Sequence, residues 1–167
     1  MLRTGRSAVV AHRGATDTQA MSDRQTETSW QLRFDRLAVA DVMTVDPVTV
    51  GVDDTVEIAE RLLAVYRVSG LPVVDGAGQL VGVLSRTDLL LEGGPALTQV
   101  LRGRTSGLRV GELMSSPPVI VSLSATLVEA ARIMRDERVH RLVVVDDRDA
   151  PIGVLSATDF VRLIADG

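Results

Sequence analysis

The sequence predicts an α/β (α+β) protein built from two β-α-β-β-α repeats packed on each other with pseudo-twofold symmetry. Three observations carry this. Residues 39–90 recur without a gap 71 positions later, as residues 110–161. Val39, Met43, Pro47, Val48, Val50, Thr55, Ala59, Arg67, Val68, Leu71, Val73, Val74 and Asp75 each meet their own residue type there, as do Gly82-Val83-Leu84-Ser85, Thr87 and Asp88. Within each copy, short Val-rich runs alternate with one apolar stretch of helical period. Finally, two copies are too few for an open solenoid, which needs about three or more to bury its faces. The repeats must therefore cover each other.

The elements follow in order. Residues 1–28 are polar, without an apolar period, and read as a disordered tail. Met21, followed by Ser22-Asp23, offers a second possible start. The first repeat domain spans 29–92, a connector 93–109, and the second repeat domain 110–167. Ser29 caps a short helix with Trp30, Phe34 and Leu37 on one face. A strand then follows the proline in each copy, Val48–Val50 and Val119–Val121. Helices begin with Asp53 and Ser124 as N-caps. Their predicted buried faces are Val56, Ala59, Leu63 and Tyr66 in copy one, and Leu127, Ala130, Ile133 and Met134 in copy two. Next come strands Leu71–Val74 and Leu142–Val145, and turns Asp75–Gly78 and Asp146–Asp149. Partner strands follow at Leu80–Leu84 and Ile152–Leu155. Ser85 and Ser156 open the last helices. Pro72 lacks an N–H, which puts the start of its strand near a sheet edge. Gly93-Gly94-Pro95 breaks the connector.

Composition excludes several function classes. Hydrophobic residues make up 46% of the chain, enough for a core, but aromatics are one Trp, one Tyr and two Phe. A single-strand nucleic-acid surface needs aromatic platforms and basic charge, and the net charge is −4. There is no cysteine and there are only two histidines, His12 and His140. Thiolate chemistry, disulfides and Cys- or His-rich metal centres are thereby excluded. No apolar run approaches 18 residues, so no membrane span is expected. Val9-Val10-Ala11 is too short for a signal-peptide core, and the chain reads as cytoplasmic. All 18 basic residues are Arg, so a basic group holding phosphate must be Arg or His.

The sharpest motif is Gly82-Val83-Leu84-Ser85-Arg86-Thr87-Asp88, repeated as Gly153-Val154-Leu155-Ser156-Ala157-Thr158-Asp159. A Ser-x-x-Asp box capping a helix explains the Ser and the Asp. It leaves the Thr and the Gly unexplained. A helix start also presents free N–H groups and a positive dipole end. An ionised Asp there can accept two hydrogen bonds from a cis-diol, and hydroxyls can reach sugar or phosphate. Together these suit a ribonucleotide.

At this point the chain resembles a tandem pair of cystathionine-β-synthase (CBS) domains, a Bateman module. The marks are Val42-Met43-Thr44, Pro47–Val50, Thr55…Ala59, Arg67–Asp75 and the two Gly-x-x-Ser-x-Thr-Asp ends. The resemblance covers roughly residues 35–165. It implies two clefts between facing sheets, binding AMP, ADP or ATP, or less readily S-adenosylmethionine; no cofactor is required. Asp88 and Asp159 would hold ribose hydroxyls, one per cleft. Ser85, Thr87, Ser156 and Thr158 would stand near ribose and phosphate. The clefts would be crossed: adenine facing Asp88 would lie near Val119 and Val139, and adenine facing Asp159 near Val48, Val68 and Ser69. His140 and Arg141 would reach phosphates from the centre. Copy one has Ser69-Gly70 at those places, so the phosphate hub would be one-sided and the two sites unequal.

A hydrolase triad can be drawn from Ser156, His140 and Asp159. Copy one keeps Ser85 and Asp88 without a histidine, and there is no Gly-x-Ser-x-Gly elbow. The expected function is therefore regulatory, not enzymatic. It would be exercised through a homodimer or on an effector protein, without nucleic-acid or membrane partners. A CBS-type interaction module that binds no nucleotide is the alternative.

Overall fold

The computed structural model describes residues 9–10, 34–91 and 107–166. In chain order the elements are β1 (Val9–Val10), α1 (Val39–Val42), β2 (Thr44–Val45), β3 (Val50–Gly51), α2 (Val56–Val65), β4 (Gly70–Val74), β5 (Leu80–Ser85) and α3 (Arg86–Leu91). Then come α4 (Val110–Leu113), β6 (Val119–Ile120), α5 (Leu127–Asp136), β7 (Arg141–Val145), β8 (Pro151–Ser156) and α6 (Ala157–Ala165). The expected β-α-β-β-α order is present twice. One sheet runs β3-β4-β5 and the other β1-β6-β7-β8-β2.

The repeats are interlocked, not merely stacked. The segment leading into each repeat packs on the other. Val39 N–H donates to Ala125 C=O (2.8 Å), and its twin Val110 N–H donates to Asp54 C=O (2.9 Å). Leu127 N–H donates to Leu37 C=O (3.1 Å), and Val56 N–H to Leu108 C=O (3.0 Å). Each of these bonds has its partner 71 positions on, which is the pseudo-twofold relation. The cores are swapped accordingly. Leu108, Val110 and Leu113 complete the copy-one core around Leu63, Leu71 and Leu84. Phe34 and Val39 complete the copy-two core around Leu127, Leu142 and Leu155. Phe34 also meets the Phe160 ring edge-on at 6.1 Å.

This exchange explains the motif glycines. A Cβ at Gly82 would come 2.6 Å from Met114 Sδ and 2.9 Å from Ser115 C=O. A Cβ at Gly153 would overlap Met43 Sδ. Each Gly makes room for the methionine arriving from the other repeat.

Several local expectations need correction. The N-caps are Thr55 and Thr126, not Asp53 and Ser124. The Asp53 carbonyl instead accepts from Arg109 Nη1 (2.6 Å). Thr126 forms a reciprocal box, its hydroxyl accepting from Glu129 N–H (3.2 Å) and its own N–H donating to Glu129 Oε2 (2.8 Å). Thr55 has Ile58 at the matching place and makes no side-chain cap. Tyr66 closes α2 as its C-cap and is exposed, not on the buried face. Pro72 lies in the middle strand of its sheet. Val83, opposite Pro72, directs its N–H and C=O outward to Ser115, so the proline nitrogen faces away from β5. The paired part of β3 reaches only Val73 and Val74, so no ladder bond is lost. Val9–Val10, within the segment read as a tail, pairs in parallel with β6. The remainder of 1–28, Trp30 and most of the connector lie outside the described residues.

The twofold relation fails at one edge. β2 pairs with β8 and extends its sheet, and Asp46 N–H donates to Ile152 C=O (3.2 Å). The twin of Asp46 is Pro117, which has no N–H to give. Ser115 still bridges Val83, but the twin carbonyl, Val81 C=O, is satisfied by the Ser116 hydroxyl (3.0 Å). The segment then leaves the edge. A cavity of 430 Å³ opens there, between Val52, Leu80 and Val81 of copy one and Met114, Pro117, Pro118, Ile120 and Val145 of copy two.

Candidate functional site

Register places the motif residues at one end of each hairpin. Ser85 lies opposite Gly70, and Ser156 opposite Arg141. Arg86 N–H donates to Ser69 C=O (3.1 Å), and its twin Ala157 N–H to His140 C=O (2.9 Å). Ser85, Thr87, Asp88, Ser69 and Val68 are thus gathered in copy one. Ser156, Thr158, Asp159, Val139, His140 and Arg141 are gathered in copy two.

The capping box accounts for half of each carboxylate. Asp88 Oδ2 accepts from Ser85 N–H and from Ser85 Oγ, both at 2.6 Å. Asp159 Oδ2 accepts from Ser156 N–H (2.7 Å) and Ser156 Oγ (2.6 Å). The second oxygens differ. Asp88 Oδ1 accepts from Ser115 Oγ of copy two at 3.2 Å. Asp159 Oδ1 has the exposed Arg162 guanidinium 3.6 Å away, within its own helix. Asp88 therefore has one oxygen turned across the repeat boundary. Ser115 was not singled out from sequence. Its twin is Thr44, and the shared hydroxyl was the available signal.

Arg141 also crosses. Its guanidinium lies over Gly70 of copy one, where a Cβ would overlap it, and Nη2 donates to Ser69 Oγ at 3.1 Å. Burial pushes the guanidinium pKa below its ordinary value, and the Asp88 carboxylate pulls it part of the way back. The group remains a cation, since an arginine is not deprotonated in proteins.

The other residues are placed as follows. Val48 and Val68 pack against the copy-one core, and Val119 and Val139 against the copy-two core. Thr87 and Thr158 are exposed on the first turns of α3 and α6, and the His140 side chain is exposed. The 430 Å³ cavity lies at the turn end of β5, away from Asp88, with Asp75 and Asp149 in its lining. Among the described residues its lining carries two carboxylates and no basic side chain, an unfavourable setting for a phosphate. Among the described residues no cluster could hold a metal ion, and no helix is long and apolar enough to cross a membrane.

A sequence model of the CBS domain matches residues 39–93 and 110–166. The chain belongs to the CBS domain family. A CBS domain-containing protein of Dictyostelium discoideum is 31% identical over 77% of this chain and 92% of its own length. Inosine-5'-monophosphate dehydrogenase of Mycobacterium tuberculosis is 33% identical over 72% of this chain. This CBS pair spans only 21% of that dehydrogenase. Among solved structures, CBSX2 in complex with AMP superposes with a TM-score of 0.63 at 35% identity, covering 77% of this chain and 97% of that one. The CBS domain pair of MJ0100, in complex with 5'-methylthioadenosine and S-adenosyl-L-methionine, has a TM-score of 0.66 at 21% identity, covering 78% and 97%. The last likeness bears on the fold alone.

Proposed function

We propose that this CBS pair is a non-catalytic regulatory module that takes adenine nucleotides (AMP, ADP or ATP) in two clefts between its repeats. The observation that carries the reading is the doubled Ser–Asp helix start. One oxygen of Asp88 caps the helix while the other is turned to the opposite repeat. A carboxylate held this way can accept from ribose hydroxyls. Asp159 plays that part in the second cleft. Val119 and Val139 would face one adenine, and Val48, Val68 and Ser69 the other. Ser85, Thr87, Ser156 and Thr158 stand by ribose and phosphate, and Arg141 with His140 supplies positive charge. The relative CBSX2 takes AMP, which supports the ligand class. S-adenosylmethionine carries a sulfonium cation where these ligands carry phosphate, which suits the positive charge of Arg141 less well.

Catalysis has no support. Ser156 Oγ donates directly to Asp159 (2.6 Å), so no histidine stands between them. Occupancy is passed on as a change of shape, across a homodimer or to an effector protein, in the cytoplasm. Val161 and Ile164, each 64% exposed on α6, offer the dimer an apolar face. A second reading, an interaction module without nucleotide, draws on one fact: the Asp boxes are complete helix caps as they stand.

Thermal unfolding separates the two. A ligand that binds only the folded state contributes about 2.7 kcal/mol at a hundred times Kd. For a domain this size Tm then rises by roughly 5–10 °C. AMP, ADP or ATP should produce that rise. No rise with any of them at millimolar concentration, nor with S-adenosylmethionine, assigns the chain to the interaction-module reading.

A further inference from the structure

The edge broken by Pro117 leaves a cavity of 430 Å³ between the turn ends of the two repeats. That volume falls in the range of about 300–1,000 Å³ usual for small-molecule sites. Its walls are apolar. Val81 is buried there, and Val52, Leu80, Met114, Ile120 and Val145 are each only half-buried. In copy two, the paired strand β2 and the bond from Asp46 N–H to Ile152 C=O cover the matching edge. Pro117 has no N–H with which to make the same closure in copy one.

The polar part of the lining is acidic, and one carboxylate comes from each turn. Leu80 N–H donates to Asp149 C=O (2.8 Å), which draws the two turns together. Asp75 Oδ1 accepts from Ala77 N–H (2.9 Å) and Gln79 N–H (3.0 Å), and Oδ2 takes no part in that turn. The Asp149 carboxylate makes no hydrogen bond or ion pair among the described residues, not even with Arg148 beside it. Its backbone is left-handed, with φ 62°, at the place where its twin is Gly78, with φ 80°. Glycine takes that conformation without steric cost. Here the position carries a carboxylate instead, and that carboxylate belongs to the cavity lining.

An anion is unsuited to this lining, and a bare metal ion fits it no better. A calcium ion takes about six to eight oxygen ligands, and no third carboxylate or histidine joins Asp75 and Asp149 among the described residues. An ammonium group has three N–H donors to share between two carboxylates, and an attached hydrocarbon body would cover the apolar walls. We propose that this cavity is a second ligand site, separate from the Asp88 and Asp159 helix starts, that takes a small organic ammonium ion. The cationic head sits between Asp75 and Asp149, and the apolar body lies against Val81 and Ile120. The site stands whether or not the clefts bind nucleotides.

Calorimetric titration of the full chain with phenylbutylamine, phenylbutanol and phenylbutyrate tests this, since the three probes share one body and differ in charge. Exposed ion pairs contribute little each, so the ammonium should bind about 2- to 30-fold tighter than the alcohol, and the carboxylate probe should bind weakest. The margin should shrink with added salt. Asp149→Asn, which has no bond to lose, should remove part of the margin. Adding Asp75→Asn should remove the rest at unchanged Tm, because asparagine can still accept the turn bonds and tolerates the left-handed backbone. Methyl NMR should place the shifts induced by the amine at Val52, Leu80, Val81, Ile120 and Val145. Equal binding of amine and alcohol, a margin that survives the double variant, or shifts centred on Val161 and Ile164 of α6 overturns the site. So does the absence of amine binding at millimolar concentration.

Discussion

Asp88 and Asp159 do two jobs with two oxygens. The capping bonds are short, 2.6–2.7 Å from the Ser backbone N–H, and an asparagine oxygen can still accept them. The charge is what asparagine loses. A charge-assisted hydrogen bond contributes about 1.5–3 kcal/mol, so Asp88→Asn or Asp159→Asn should weaken nucleotide binding at its own cleft by roughly 10- to 150-fold, with little change in Tm. Equilibrium dialysis against labelled AMP measures this, and the 2'-deoxynucleotide should mimic the loss on wild type. Wild-type affinity in both single variants and the double variant would reduce these residues to caps. The motif glycines carry a different lesson. Gly82 and Gly153 stand beside the candidate site, yet Met114 and Met43 explain them.

Among the elements, α2 and α5 occupy equivalent places with unequal starts. Thr126 and Glu129 cap each other. Thr55 faces Ile58, which is 41% exposed. Ile58→Glu should recreate the box in copy one and remove an exposed apolar side chain. A cap of this kind contributes about 0.5–2 kcal/mol, which denaturant titration resolves as a higher midpoint at unchanged slope. A lower midpoint would mean that Ile58 packs more than its exposure indicates. The misplaced caps have a physical cause. Asp53 and Ser124 have the right chemistry, but each sits two residues before a Thr that pairs across the repeat boundary, Thr55 with Arg109 and Thr126 with Ala38. That pairing holds the chain extended for two residues more.

At the scale of the molecule, each core is completed by the other copy's leading segment. Leu108 and Val110 serve copy one, and Phe34 and Val39 serve copy two. Neither repeat can unfold without opening the other's core, so denaturant unfolding should be a single transition for both repeats. Two resolved steps would mean that the interlock is energetically minor. Val161 and Ile164 lie outside both buried cores. If they form the dimer face, Val161→Asp with Ile164→Asp should halve the mass in sedimentation while leaving the single transition. A wild-type chain that already sediments as a monomer would remove the dimer from the proposed function.

The sequence by itself determined the duplication, the order of elements, the family and the two Ser–Asp helix starts. These are carried by residue type and spacing, and spacing repeats whether or not the chain is folded. It also carried the asymmetry, since Arg141 has Gly70 as its twin. Only the tertiary structure decided which half completes which core, because nothing in a repeated pattern says whether its leading segment packs at home or across the boundary. It decided that Ser115 faces Asp88, that Arg141 reaches Ser69, and that Ser116 replaces the N–H that Pro117 lacks. Each is a contact between residues at least 27 positions apart. Such contacts arise from how two sheets meet, and local patterning holds no record of that.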